Sequence, residues 1–246
     1  LRLLPHLQRA KSTHALAPAA MQQLAAFDGA MRAEAAAPLI FLAWARQLTL
    51  GVFGDDIGPV MFERTLENRS FRDALEGALE RSDQRWCDQQ GTPAVETCAQ
   101  QVDAAFTRAL DELQLRHGAD VAKWQWGSAH VARSEHRPFS QVGLLARWFE
   151  LRAPVGGDTF TVNVSRVSLR PLARTGELYL DEHGPSLRAL YDLGDASKSR
   201  IMHSSGQSGI AFSPRYRSFV EPWARVEYVP LWSDAVQHSL TLSPRR

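Results

Sequence analysis

Along the first half of the chain, apolar residues recur at steps of mostly three and four, the spacing of one face of a helix. Ala17 to Ala33 is rich in Ala, Met, Gln and Leu, all strong helix formers. The most apolar run, Ala35 to Leu50, reads as a buried helix interrupted by Arg46 and Gln47. It is shorter than the roughly 20 residues a bilayer requires, so no membrane partner is expected. Ser70-Phe71-Arg72-Asp73 predicts another helix, with Ser70 as N-cap. Thr92-Pro93 predicts the start of a third, because Pro at the first helical position loses no needed hydrogen bond. Val95, Cys98, Val102, Ala105, Phe106, Ala109 and Leu113 form its stripe, and Gly118 is placed to end it.

After Lys123 the period falls to two. In Asp158 to Val167, Phe160, Val162 and Val164 alternate with Thr159, Thr161, Asn163 and Ser165, which predicts a strand with unlike faces. Shorter β-like runs follow at Gly176 to Leu180, Leu187 to Leu193 and Arg200 to His203. A helix is predicted over Ser213 to Arg225, with Pro214 at its first position. The class is α+β: a helical subdomain over 1–122, then a β-rich segment over 123–246.

Composition changes this picture little. Hydrophobic residues make up 44% and charged residues 22%, which fits a folded chain and argues against disorder. With 28 basic and 27 acidic side chains the net charge is +1, leaving no surplus to neutralise phosphates, so nucleic acid is excluded as a partner. The chain opens on Leu1 with no signal-peptide pattern, so a leader removed elsewhere or excision from a longer precursor is expected. The spacing of Cys87 and Cys98 suggests neither zinc nor a redox pair; a disulfide across a short loop and two buried thiols both fit it.

Candidate chemistry is sparse. His130 and His136 match no metal-ligand spacing, and Glu135-His136 and Glu182-His183 are adjacent pairs that point apart on a strand. No metal site is expected. Ser208, His130 and Asp158 form a triad on paper, but Gly206-Gln207-Ser208-Gly209 lacks the spacing of a nucleophile elbow and reads better as a glycine-rich turn. No helix follows Gly156-Gly157-Asp158 to make a phosphate loop, so a close backbone approach is the better reading. Trp124 and Trp126 share a face, and with Trp44, Trp86, Trp148, Trp223 and Trp232 they are expected in the core.

Several short motifs then occur in a consistent order. Leu3-Leu4-Pro5 precedes Leu24-Ala25-Ala26-Phe27-Asp28-Gly29-Ala30-Met31, and Trp124-Gln125-Trp126-Gly127-Ser128-Ala129-His130 is followed by Pro138-Phe139. Pro154-Val155-Gly156-Gly157-Asp158 runs into Thr161-Val162-Asn163, and Gly184-Pro185-Ser186-Leu187-Arg188 runs on to Asp192. Gly206-Gln207-Ser208-Gly209, Ser213-Pro214-Arg215-Tyr216, Trp223 and Tyr228-Val229-Pro230 close the series. In order and spacing the chain resembles the later part of the β subunit of penicillin acylases. It departs from them at Arg215 where His is usual, at Ser218-Phe219 where Asp-Gln is usual, at Phe27 where Trp is usual and at Val226 where Gly is common.

The resemblance implies one precursor that cuts itself into α and β chains, with the new N-terminal residue of the β chain as nucleophile and its own α-amino group as base. An amine of pKa about 7.7–8.0 keeps a substantial neutral fraction available to take the hydroxyl proton, which suits that role. The family's nucleophile, oxyanion Asn and calcium ligands all lie earlier than these motifs. No catalytic residue and no metal ligand is therefore carried over, and any calcium belongs to the part outside this chain. The implied role is to complete an αββα N-terminal-nucleophile hydrolase fold, beside the α chain and the earlier β chain, around a small N-acylated substrate. The chain alone is expected to be inactive. A non-catalytic structural subunit, or a degenerate relative, is the alternative. Asp192, Asn163 and His130 are candidates to brace the cleft; Asp192 is expected to be a buried carboxylate inside an apolar strand. Family members are exported to the periplasm or medium, which favours a Cys87–Cys98 disulfide.

Overall fold

A computed structural model describes residues 2–232 and 240–243. The chain forms two compact units. One holds the residues up to Arg133 together with Pro154–Gly184; the other holds Ser134–Ala153 and the residues from Pro185 onward. The division expected at 122/123 follows the change of period, whereas the packing returns Pro154–Gly184 to the helical unit.

The first unit is built from α1 (Leu4–Leu7), α2 (Ala17–Ala25), α3 (Ala37–Thr65), α4 (Arg69–Glu80), α5 (Gln84–Cys87), α6 (Cys98–His117) and α7 (Trp126–Ala129). The apolar run becomes α3, which at 29 residues extends well past Leu50 and kinks at Gly58, φ 72°, before Pro59. Among the described residues α3 is the one helix long and apolar enough to cross a membrane, but 83% of its most apolar window is buried in the fold, as in a core helix. Its Leu39, Ile40, Trp44 and Leu48 pack in one core with Val102, Phe106, Leu110 and Leu113 of α6. Each such side chain contributes about 1.5–3 kcal/mol on burial. The Trp44 indole N–H, which cannot be left unpaired there, donates to the Val102 carbonyl at 3.2 Å.

Two helix starts shift for a common reason: local side-chain bonds to the backbone choose the cap. Asn68, not Ser70, caps α4 by accepting from the Ser70 N–H. α6 starts at Cys98 behind a Thr97/Gln100 capping box rather than at Pro93. Residues 88–97 instead form a loop, in which Glu96 accepts from the Gln89 N–H at 2.9 Å and Asp88 from the Glu96 N–H at 3.1 Å. Cys87 and Cys98 are joined by a disulfide across this loop. Gly118, φ 83°, ends α6 as expected. α2 stops at Ala25, well before Ala33, and Gly29 at φ 86° turns the chain.

Strands β1 (Val131–Ser134) and β2 (Leu151–Pro154) lie where the chain leaves and re-enters this unit. β1 runs parallel to β4 (Asp181–His183), and β4 pairs antiparallel with β3 (Arg166–Val167). The strand expected over 158–167 is thus confined to its last two residues, and the run expected at Gly176 to Leu180 precedes β4 instead of forming it.

In the second unit α8 (Gly143–Phe149) and α9 (Val220–Ala224) accompany an antiparallel sheet of β5 (Leu187–Leu190), β6 (Arg200–His203) and β7 (Val229–Pro230), in that order. Leu187 faces His203 and Arg200 faces Pro230. The helix expected from Ser213 begins only at Val220. Leu151, Ala153, Tyr216 and Val220 form a small core. Trp148 and Trp232 are each 61% exposed, so the expected burial of the tryptophans fails at these two.

Candidate functional site

Three of the sequence motifs meet at one place in the first unit. The Trp126 N–H donates to the Ala35 carbonyl at 2.8 Å and the Gly127 N–H to that of Ala33 at 2.6 Å. The Gly157 N–H donates to the Met31 carbonyl at 2.8 Å, and the Trp126 indole N–H to the Gly157 carbonyl at 2.9 Å. These contacts explain the glycines. A Cβ on Gly156 would stand 2.8 Å from the Met31 oxygen, and one on Gly157, φ 88°, would stand 2.7 Å from the Asn163 oxygen. Both distances are too short for any L side chain.

His130 closes α7 and lies at the centre of this knot, fully buried. Its ring stacks on Trp126 with centroids 4.4 Å apart. Nδ1 is 2.7 Å from the Tyr179 carbonyl and Nε2 is 2.8 Å from Ser165 Oγ. A carbonyl only accepts, so Nδ1 carries the proton and Ser165 donates to Nε2. Burial pushes the His130 pKa down to about 4, against which the two hydrogen bonds act weakly. The imidazole is neutral at physiological pH.

The knot continues into the helices. Tyr179, held at φ 69°, donates its hydroxyl to Glu112 Oε1 of α6 at 2.6 Å. Glu112 Oε2 also accepts from Arg46 at 3.0 Å and Gln47 at 2.9 Å, both on α3. Arg46 donates further to the Leu169 carbonyl. Burial, reinforced by the Glu112 charge, raises the Tyr179 pKa well above its ordinary value, so the phenol stays a donor. Arg46 and Gln47, which interrupt the apolar run, were the signal in the sequence for this network; nothing there singled out Ser165 or Tyr179.

A short Ser-His contact is the geometry that activates a nucleophile. Here Ser165 is 3% exposed and His130 wholly buried, so no acyl group reaches the hydroxyl without opening the core. The paper triad is not assembled: both His130 nitrogens are engaged by Tyr179 and Ser165. Asp158 accepts from the Phe160 N–H, and Ser208 caps a turn by accepting from the Ile210 N–H. Asn163 is half-buried on the turn that Ser165 ends, with its carbonyl accepting from Thr161 Oγ1 at 3.0 Å. Asp192 is not buried. It is exposed after β5, and Oδ1 accepts from the N–H groups of Gly194 and Asp195, each at 2.9 Å. Among the described residues no cluster of three or more His, Cys, Asp or Glu side chains could hold a metal.

The closing motif is a second backbone knot. The Gly206 N–H donates to the Tyr216 carbonyl at 2.8 Å, and a Cβ on Gly206 would overlap the backbone of Arg215 and Tyr216. The Tyr216 hydroxyl donates to the Phe149 carbonyl at 2.6 Å.

A family model described as "Penicillin amidase" matches residues 1–238. The chain is 28% identical to the acyl-homoserine lactone acylase QuiP of Pseudomonas aeruginosa, over 99% of this chain and 30% of that protein. It is 29% identical to the protein of the same name from Pseudomonas putida, over 93% and 27%. The chain thus spans under a third of the length of these relatives. A solved structure of a thermostable penicillin G acylase from Alcaligenes faecalis matches with a TM-score of 0.49 and 14% identity, covering 100% of this chain and 46% of that one.

Proposed function

The chain belongs to the penicillin amidase family, and from that premise we propose that it is the later part of the catalytic subunit of an N-acyl amide hydrolase, with the nucleophile supplied from outside residues 1–246. One observation carries the reading: three of the motifs converge on a closed, hydrogen-bonded framework around a neutral His130, not on an open centre. Such a framework fits a part that shapes a cleft while another part performs the chemistry.

In the family pattern an N-terminal residue attacks the acyl carbon, and its own amine takes the hydroxyl proton. The amide nitrogen leaves as a free amine, and water releases the acid. N-acyl homoserine lactones are the substrate class we favour, because the Pseudomonas relatives are named for acting on them. The partners are the α chain and the earlier β chain, whose strands would complete the αββα sheets; any calcium would be held there. Export to the periplasm or medium fits the Cys87–Cys98 disulfide. Free thiols at both positions in natively produced protein would contradict export.

The test uses the full-length protein that contains residues 1–246. Release of the free amine from N-acyl homoserine lactones is expected, and Ser208→Ala should keep the rate within about tenfold, since it disturbs a turn and removes no nucleophile. A full-length protein that is folded and correctly cleaved, yet releases no amine from any N-acyl amide, would leave the fold without the chemistry and sink the reading.

A further inference from the structure

The turn between Gly157 and Ser165 is built firmly and points apolar groups at water. Ser165 anchors it to His130 at 2.8 Å and returns its N–H to the Asp158 carbonyl at 3.0 Å. The Asp158 N–H donates to Thr161 Oγ1 at 2.9 Å, and Asp158 Oδ1 holds the Phe160 N–H at 2.8 Å. On this base Val162 is fully exposed and Phe160 is 54% exposed. The Phe160 ring is held in place by the Arg72 guanidinium, 5.2 Å from its centroid, which lies over Phe41 at 5.3 Å on the same scale.

Beside Phe160 lies a cavity of about 70 Å³, walled by Leu42, Leu66, Phe71, Leu75, Val167 and Leu169. A water needs about 10–15 Å³ on this measure, so the space matches several waters or one large apolar side chain. Two cations on the wall are already engaged, Arg46 by Glu112 at 3.0 Å and Arg72 by Glu76 at 3.1 Å, while Arg69 and Arg166 are exposed. An apolar centre with a charged margin is the anatomy of a protein interface. A preorganised turn also loses little entropy when it docks.

We propose that this face, Phe160 and Val162 with the adjoining cavity, is an interface that receives an apolar side chain from the part of the same polypeptide lying outside residues 1–246. The inference rests on the reading of the chain as part of a longer hydrolase. The occupant follows from length: the chain spans 30% and 27% of its two Pseudomonas relatives, so most of such a protein lies elsewhere and meets this face as a tethered partner.

Val162→Cys in the full-length protein tests this through the rate of maleimide labelling, read by peptide mass spectrometry alongside amine release. The native protein should label at least about tenfold more slowly than the urea-unfolded protein, since burial must open before the thiol reacts. That protection should hold on dilution from micromolar to nanomolar protein. Hydroxyl-radical oxidation of Phe160 in the unsubstituted protein should show the same protection, and it covers the case in which the variant does not fold. Labelling at the unfolded rate, with amine release intact, would overturn the interface and leave the hydrolase reading standing. Protection without amine release would uphold the interface while the hydrolase reading fails. Protection that vanishes on dilution would assign the face to a second copy and overturn the proposed occupant.

Discussion

Val226 is the residue at which the chain departs from its family at a visible cost. It sits at φ 59°, a left-handed backbone conformation that a β-branched side chain adopts only under strain. Glycine is common at this place in the resembling family, and the structure supplies the reason. The left-handed conformation costs an L residue about 1–2 kcal/mol, and glycine gives back about 0.5–1 kcal/mol of that in unfolded-state entropy. Val226→Gly should therefore stabilise the protein by about 0.5–1 kcal/mol, read as a higher urea midpoint with an unchanged slope. Gly156, Gly157 and Gly206 were legible in the sequence as turn glycines, and each proves to be required by a close backbone approach. Asp192 is exposed although Leu187, Leu190, Tyr191 and Leu193 around it are apolar, because each of the four is itself more than half exposed. An apolar pattern reports that a surface is to be covered; it does not say which chain covers it.

At the scale of elements, helical periodicity read well because it is set by neighbours one turn away. α3 is buried where the apolar run placed it, and α6 carries the expected stripe from Cys98 to Leu113, while Val95 lies in the preceding loop and is exposed. The alternation over 158–167 misled because Asp158 and Thr161 bond to the backbone within the turn, which competes with a ladder. The network joining α3, α6, α7 and this turn makes stability pH-dependent. His130 has an ordinary pKa near 6.5 when unfolded and about 4 when folded, so between these values the unfolded chain binds the extra proton. Its contribution is present above pH 6.5 and is lost as the pH falls towards 4, a change on the order of 3 kcal/mol. Urea unfolding of the full-length protein across that range should show the loss, and His130→Asn should flatten this part of the curve. A pH slope unchanged by the substitution would assign the effect to other groups.

At the scale of the whole molecule, the α+β class, the order of motifs and the family were legible, because each depends on residues close in sequence. The packing was not. Nothing local announces that Pro154–Gly184 returns to the helical unit, since that depends on contacts such as Trp126 to Gly157 and Tyr179 to Glu112 between distant residues. For the same reason the buried Ser165–His130 pair was not foreseen, and it is the feature of these residues nearest to a nucleophile and base. A nucleophile outside residues 1–246, as proposed, can be located chemically. The full-length protein is treated with a sulfonyl fluoride that traps active hydroxyl nucleophiles, and the modified peptide is identified by mass spectrometry. One adduct is expected, stoichiometric with loss of amine release, on the N-terminal residue of a chain segment outside 1–246. An adduct on Ser165 or Ser208 that abolishes turnover would contradict it.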